Sequence, residues 1–219
     1  MTGPRIQLIN AVTAAQGPIH TAFARLWPEA RTVDLTEASL ATDLEETGSL
    51  TDAFTGRMAA LIGYGVDTGA DAVLFTCSAF GAAIEAAREG IEIPVLKPDE
   101  AMIGEALSRG PRIGGLATFE PTVPSLASEL EAAARARGLS PAIDIRHVPG
   151  ALDALHAGNA AEHDRLIAAA ADAMTDVDVL LLAQFSMIGS REAITDAPGR
   201  PVLTAPDEAV RKLREILGG

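Results

Sequence analysis

The sequence predicts an α/β protein made of two similar halves, each a mostly parallel sheet flanked by helices. Three observations predict it. Short apolar runs of strand length alternate with amphipathic runs of helix length along the 219 residues, the spacing expected where a parallel sheet is covered on both faces. The stretch 71–100, DAVLFTCSAFGAAIEAAREGIEIPVLKPDE, returns in the second half of the chain as DVLLLAQFSMIGS leading to RPVL, so that Asp71 maps to Asp178 and Pro94 to Pro201; after one inserted residue, PDEA at 98–101 recurs at 206–209. A repeat of so long a period means two halves of similar fold and not a solenoid. Finally, 48% hydrophobic and 21% charged residues with 4% aromatics describe an Ala-rich globular chain, long enough for two cores of about 100 residues each.

Each element follows from local pattern. Residues 5–9 read as a buried strand, 10–17 as a polar loop, and 18–26 as a helix stopped by Trp27-Pro28. Residues 32–35 form a second strand. Residues 36–48 carry seven Thr, Asp or Glu side chains and read as a solvated surface loop, with a lid over a site as the sharper alternative. Phe54, Met58, Leu61 and Ile62 set a helix over 50–66 that ends before Gly69. The repeated stretch supplies strand, turn, helix, strand and helix start. Helix 99–108 leads to Arg109-Gly110-Pro111 as a hinge. Strand 112–116, helix 121–137 closed by Gly138, strand 143–148, helix 159–174, strand 177–183, strand 201–203 and helix 207–217 complete the second half. The expected domains are 1–98 and 99–206, with the final helix 207–219 packing back onto the first. Each is Rossmann-like (flavodoxin-like), and the two are related by a pseudo-twofold.

Charge and cysteine usage narrow the function. A net charge of −13 argues against nucleic acid and anionic membranes, which are bound through Lys and Arg clusters. No 18-residue apolar run and no leader pattern appear, so the expected address is the cytoplasm. One cysteine makes no internal disulfide, and no Cys/His spacing suggests a metal. Neither a G-x-G-x-x-G nor a Walker pattern follows the first strand. The Ala-rich helices would permit a homodimer or a higher homo-oligomer.

Ligands of open parallel sheets bind beyond the carboxyl ends of the strands. In the first half those loops offer Asn10 and Thr13, then Thr76, Cys77 and Ser78. In the second they offer Thr118, Phe119, Glu120 and Thr122, then Gln184, Phe185 and Ser186. Apart from Glu120 these groups are uncharged and rich in hydroxyls, a set that holds a small carboxylate through hydroxyls and helix N-terminal amides. Cys77 ends one apolar strand and opens a helix. A helix N-terminus favours the thiolate, so the expected pKa of Cys77 lies below that of a free thiol. A buried small hydrophobe is the plainer reading of a lone cysteine, and helix capping is the plainer reading of Thr118, Thr122 and Ser186. The repeat sets Gln184 at the position of Cys77.

The segment RIGGLATFEPTVPS, with G-x-x-AT-x-x-x-T-x-x-S over 114–125, resembles the corresponding segment of the aspartate, glutamate and hydantoin racemase superfamily. The paired turns leading to IPVL and RPVL are similar to that family, and LIN at 8–10 resembles the first strand of its hydantoin racemase branch. The resemblance implies a cofactor-independent enzyme acting on a small carboxylate or amino-acid-like substrate. One thiolate removes the proton beside the carboxylate and a second thiol returns a proton to the opposite face. Cys77 falls on the first cysteine position, and Asn10, Ser78 and Thr118 fall on substrate-holding positions. The second cysteine position falls on Gln184, whose amide exchanges no proton at neutral pH. Three chemistries therefore stay open: racemase-like transfer, single-thiol decarboxylation, and cis-trans isomerisation of a small dicarboxylate. A non-catalytic carboxylate-binding protein is the fourth reading.

Overall fold

In the computed structural model, which describes residues 3–194 and 200–218, the chain forms two four-stranded parallel sheets, each with its own set of helices. It divides into two compact units, one of Met1–Ala101 with Ala209–Gly219 and one of Met102–Glu208.

The first sheet begins with β1 (Arg5–Asn10) and a 3-10 turn (Thr13–Ala15) running into α1 (Gln16–Leu26). Then come β2 (Arg31–Thr36), α2 (Ser39–Thr47), α3 (Asp52–Asp67), β3 (Ala72–Phe75), α4 (Gly81–Ala87), β4 (Val95–Leu96) and α5 (Glu100–Arg109). The sheet order is β2-β1-β3-β4, all parallel. Every residue of β3 is buried, as a central strand covered on both faces requires. Ile9, Val73 and Phe75 of the sheet meet Leu40, Phe54, Met58, Ile62 and Ile84 of α2, α3 and α4 in one core cluster.

The second sheet repeats the plan with β5 (Arg112–Ala117), α6 (Thr122–Ala136), β6 (Ala142–His147), α7 (Ala151–His156), α8 (Ala160–Asp172), β7 (Val179–Leu182), α9 (Ser190–Ile194), β8 (Val202–Thr204) and α10 (Ala205–Leu217). Its order, β6-β5-β7-β8, is the same topology. The register repeats too: Ile6 pairs with Ala72, and their counterparts in the repeat, Ile113 and Val179, pair with each other. The last helix after each sheet changes sides, since α5 belongs to the second unit from Met102 onward and α10 to the first from Ala209 onward. Asn159 caps α8 by accepting the Glu162 backbone N–H at 3.1 Å.

The segment after β2 departs from expectation. The acidic stretch is a helix, α2, and not a plain loop. Its polar residues sit outward while Leu40 is buried in the core with Leu44 packed beside it one turn on, and Gly48 closes it with a φ of 69°, the left-handed conformation that glycine tolerates best. Arg57 of α3 ties it down: the guanidinium donates to Asp43 at 2.5 Å, to the Ser39 hydroxyl at 2.6 Å and to Glu37. Burial pushes the Glu37 carboxyl up, but bonds from the Ser39 hydroxyl, the Arg57 guanidinium and the Ser39 backbone N–H hold it below the usual carboxylate range. α7 was also unforeseen, because its six residues are too few to show a helical period.

Replacing Arg57 with Ala removes all three bonds at once. Amide hydrogen exchange across 39–47 is expected to accelerate by at least about tenfold, while the amides of β1 and β3 keep their protection. Unchanged exchange in α2 would show that Leu40 and Leu44 hold the helix without the guanidinium.

Candidate active site

The site is built where parallel strands end together. In the first unit, β1 lies beside β3, and the Thr76 backbone N–H donates to the Ile9 carbonyl at 3.0 Å. The Thr76 hydroxyl donates to Asn10 Oδ1 at 2.8 Å, and Asn10 Nδ2 donates to Asp34 Oδ1 at 2.9 Å. Asp34 Oδ2 in turn lies 2.6 Å from His20 Nε2. Asn10 is wholly buried and Thr76 nearly so, so this pair braces the strand ends from beneath and does not reach solvent. Thr13 and Ser78 are exposed on the two neighbouring loops.

Cys77 follows Thr76 in extended conformation, with φ −123° and ψ 117°. It is half-buried and packs against the core cluster that contains Phe54 and Phe80, whose rings lie 5.7 Å apart. Burial pushes the Cys77 thiol above its ordinary pKa, the negative charge of Asp99 pushes it further, and the Ala79 backbone N–H opposes both. This corrects the expectation of a lowered pKa. A 3-10 turn, Ser78–Phe80, intervenes before α4, and α4 has only seven residues. The one amide that reaches the sulfur does not outweigh desolvation.

In the second unit β5 lies beside β7, and the Ala183 backbone N–H donates to the Leu116 carbonyl at 3.0 Å. Gln184 repeats the extended backbone of Cys77, with φ −104° and ψ 148°. Its side chain is committed at both ends: Oε1 accepts the Thr118 backbone N–H at 2.9 Å, and Nε2 donates to the Thr122 hydroxyl at 2.9 Å. The Thr118 hydroxyl lies 3.5 Å from the same oxygen, at the limit of a bond, and Thr118 is 2% exposed. Thr118 and Thr122 are thus drawn together by Gln184. Phe119 and Glu120 project into solvent, Ser186 is half-buried, and Phe185 is turned into the core.

Asp99 was not foreseen as a site residue, yet its charge acts on Cys77. Its signal was present, because Asp99 lies in the repeated PDEA, and its counterpart Asp207 is buried and pairs with Arg191 at 2.7 Å. The bracing by Asp34 and His20 had no signal in sequence. Those two residues come from different elements, β2 and α1.

The sequence profile of the Asp/Glu/Hydantoin racemase family matches residues 9–213. The chain belongs to that family. Membership places it among the enzymes of the racemase family. Allantoin racemase from Pseudomonas fluorescens shares its fold with a TM-score of 0.69 at 22% identity, covering 98% of this chain and 92% of that one. An aspartate racemase homologue from Pyrococcus horikoshii OT3 gives 0.73 at 14% identity, with all of both chains covered. A liganded arylmalonate decarboxylase variant, with one glycine changed to cysteine and one cysteine changed to serine, gives 0.70 at 21% identity over 99% of this chain and 93% of that one. No curated protein sequence matches significantly. Among the described residues, no helix of this racemase-family chain is long and apolar enough to cross a membrane.

The raised pKa sets an expectation for reactivity, since only the thiolate is alkylated. Cys77 should react with iodoacetamide more slowly at pH 7 than a free thiol, its half-maximal rate lying above the ordinary thiol pKa of about 8.5. Asp99→Asn removes a charge that raises the pKa and should shift the profile to lower pH. A profile at or below that of free cysteine would contradict this electrostatic account.

Proposed function

We propose that this chain is a cofactor-independent enzyme that moves a proton at the carbon next to the carboxylate of a small acid, with Cys77 as its essential thiol. The observation that carries the reading is the pair of equivalent strand-end positions in a chain of this family. One holds the chain's only thiol, and the other holds a glutamine bonded to two threonines. In the thiolate form Cys77 abstracts the α proton, and in the thiol form it returns one. Gln184 stands in place of a second cysteine and exchanges no proton. One Nε2 hydrogen remains after the bond to Thr122, and it is available to a developing enediolate as a fixed dipole. Thr13 and Ser78 in the unit of Cys77, and Thr122 and Ser186 in the unit of Gln184, offer hydroxyls to a carboxylate, whereas Thr118 is buried and turned to Gln184. A thiol that must stay reduced also suits a cytoplasmic setting.

One observation favours a second reading. A thiol whose pKa is raised rests with its proton on, the state of a general acid that protonates a carbanion left by departing carbon dioxide. Single-thiol decarboxylation needs that one donor and no second cysteine.

With one thiol on one face, the enzyme is expected to exchange the α proton of its substrate for deuterium with retention, and to invert it slowly. Cys77→Ala should abolish exchange and any decarboxylation. Activity near wild type in Cys77→Ala would refute the thiol chemistry, and binding of acids with neither exchange nor decarboxylation would mark a carboxylate-binding protein.

Gln184→Cys is expected to raise racemisation of an α-substituted acid by at least about tenfold, since it supplies an acid and a base for opposite faces. Optical rotation followed in deuterated water reads this directly. Fast racemisation by wild type, with deuterium entering on both faces, would remove Gln184 from the second catalytic position.

A further inference from the structure

His147 is a titrating side chain of the second unit that takes no part in the thiol chemistry. It is the last residue of β6 and pairs with Ala117, the last residue of β5, so it stands at the strand end from which Thr118 leaves. Its Nε2 lies 3.3 Å from the Thr118 carbonyl. A carbonyl oxygen only accepts, so that nitrogen carries a hydrogen. The Thr118 peptide is thereby held on both sides, its N–H by Gln184 Oε1 at 2.9 Å and its carbonyl by His147. The other ring nitrogen, Nδ1, has no partner among the described residues; the ring is half-buried, and Nδ1 is reached by solvent. Nδ1 is an acceptor in the neutral ring and a donor in the imidazolium.

Charge gives that nitrogen a role. Four loops leave the strand ends of this unit, 117–122, 147–151, 183–189 and 204–206, and none contains Lys or Arg. His147 is the one residue in them that can become a cation. Arg191 on α9 is bonded to Asp207, and Arg146, next to His147 in β6, is bonded to Asp144 at 2.6 Å. On the elements packed against His147 the other charged side chains are Arg112 at the far end of β5, paired with Asp176 and Asp178; Glu120 in the loop to α6; Glu129, Glu131 and Arg135, which begin about two turns into α6; and Asp153 in α7. A carboxylate held by the hydroxyls of Thr122 and Ser186 alone would exchange water for neutral donors. An imidazolium adds a charge-assisted hydrogen bond, roughly twice as strong. In the first sheet the same register position, opposite Asn10, is Thr36, whose hydroxyl accepts from Gln16 at 2.9 Å.

We infer that His147 is a carboxylate-binding residue: as the imidazolium, its Nδ1–H donates to the carboxylate of the substrate while its Nε2–H stays on Thr118. Affinity for acids then depends on pH. Binding is full below the midpoint of the imidazole and falls as pH rises through it, because the neutral ring presents a lone pair where the carboxylate needs a hydrogen. By linkage, a bound carboxylate raises that midpoint. The inference rests on the reading of the substrate as a small carboxylate and makes no use of Cys77.

The probe is propionate, titrated into the full chain between about pH 5.5 and 8, where imidazoles change charge. NMR follows the ring C–H signals of the four histidines, with that of His147 identified by its loss in His147→Gln. Glutamine keeps an amide hydrogen for the Thr118 carbonyl and removes the charge. In wild type, propionate is expected to raise the His147 midpoint and to bind at least about threefold more tightly at pH 5.5 than at pH 8. His147→Gln should bind at all pH values as weakly as wild type does at pH 8. A purely structural role would leave that variant with wild-type affinity and wild-type pH dependence, which would overturn the inference. An unmoved His147 midpoint while the Thr122 and Ser186 amides shift would also overturn it, and would leave the carboxylate site standing. If propionate moves no signal of either unit, the carboxylate reading falls and takes the inference with it.

Discussion

Two backbone-to-carboxylate hydrogen bonds set the frame on which everything else depends. Asp71 accepts the backbone N–H of Arg5 at 2.7 Å, and Asp178, its counterpart in the repeat, accepts that of Arg112 at 2.9 Å. Each carboxylate precedes one central strand and pins the first residue of the strand beside it. Arg112 also closes a guanidinium onto Asp178 and holds that carboxyl below its usual range. In a parallel sheet a slip of one residue would turn every side chain to the opposite face. The pin therefore helps to fix the register in which Ile9 and Phe75 enter the core, Thr76 stays buried against Asn10 and Cys77 comes to the partly exposed strand end.

From that frame the two strand-end positions acquire opposite characters. At Cys77 the surroundings are apolar, with a carboxylate nearby, so the proton stays on sulfur. At Gln184 the surroundings are polar, and the amide spends its oxygen on the Thr118 backbone and one hydrogen on Thr122. A cysteine side chain would be too short to span both threonines. The glutamine thus rigidifies the loop that carries Thr118 and Thr122, and that position becomes a fixed set of dipoles where its counterpart has a titrating group.

The buried polar residues follow a related logic. Asn10 is wholly buried and would be costly if unpaired, yet the Thr76 hydroxyl and the Asp34 carboxylate satisfy it. A residue that reads in sequence as a substrate anchor is in the structure part of the brace that orders the two loops above it. Its position next to the site was legible; its direction was not.

The chain by itself determined the duplication, the alternation of strand and helix, the parallel sheets and the equivalence of Cys77 with Gln184. All of these are periodic or local patterns, which a linear sequence records directly. It did not reveal α2, because a short helix stabilised by Leu40, Leu44 and a guanidinium from another helix looks hydrophilic when its partners are unseen. Nor did it reveal the direction of the Cys77 pKa. Adjacency in sequence suggested a helix dipole, whereas desolvation and the charge of Asp99, which lies beyond the next helix and strand in the chain, decide the outcome. Desolvation, charge and hydrogen-bond satisfaction depend on distances through space, and those distances exist only once the strands have paired.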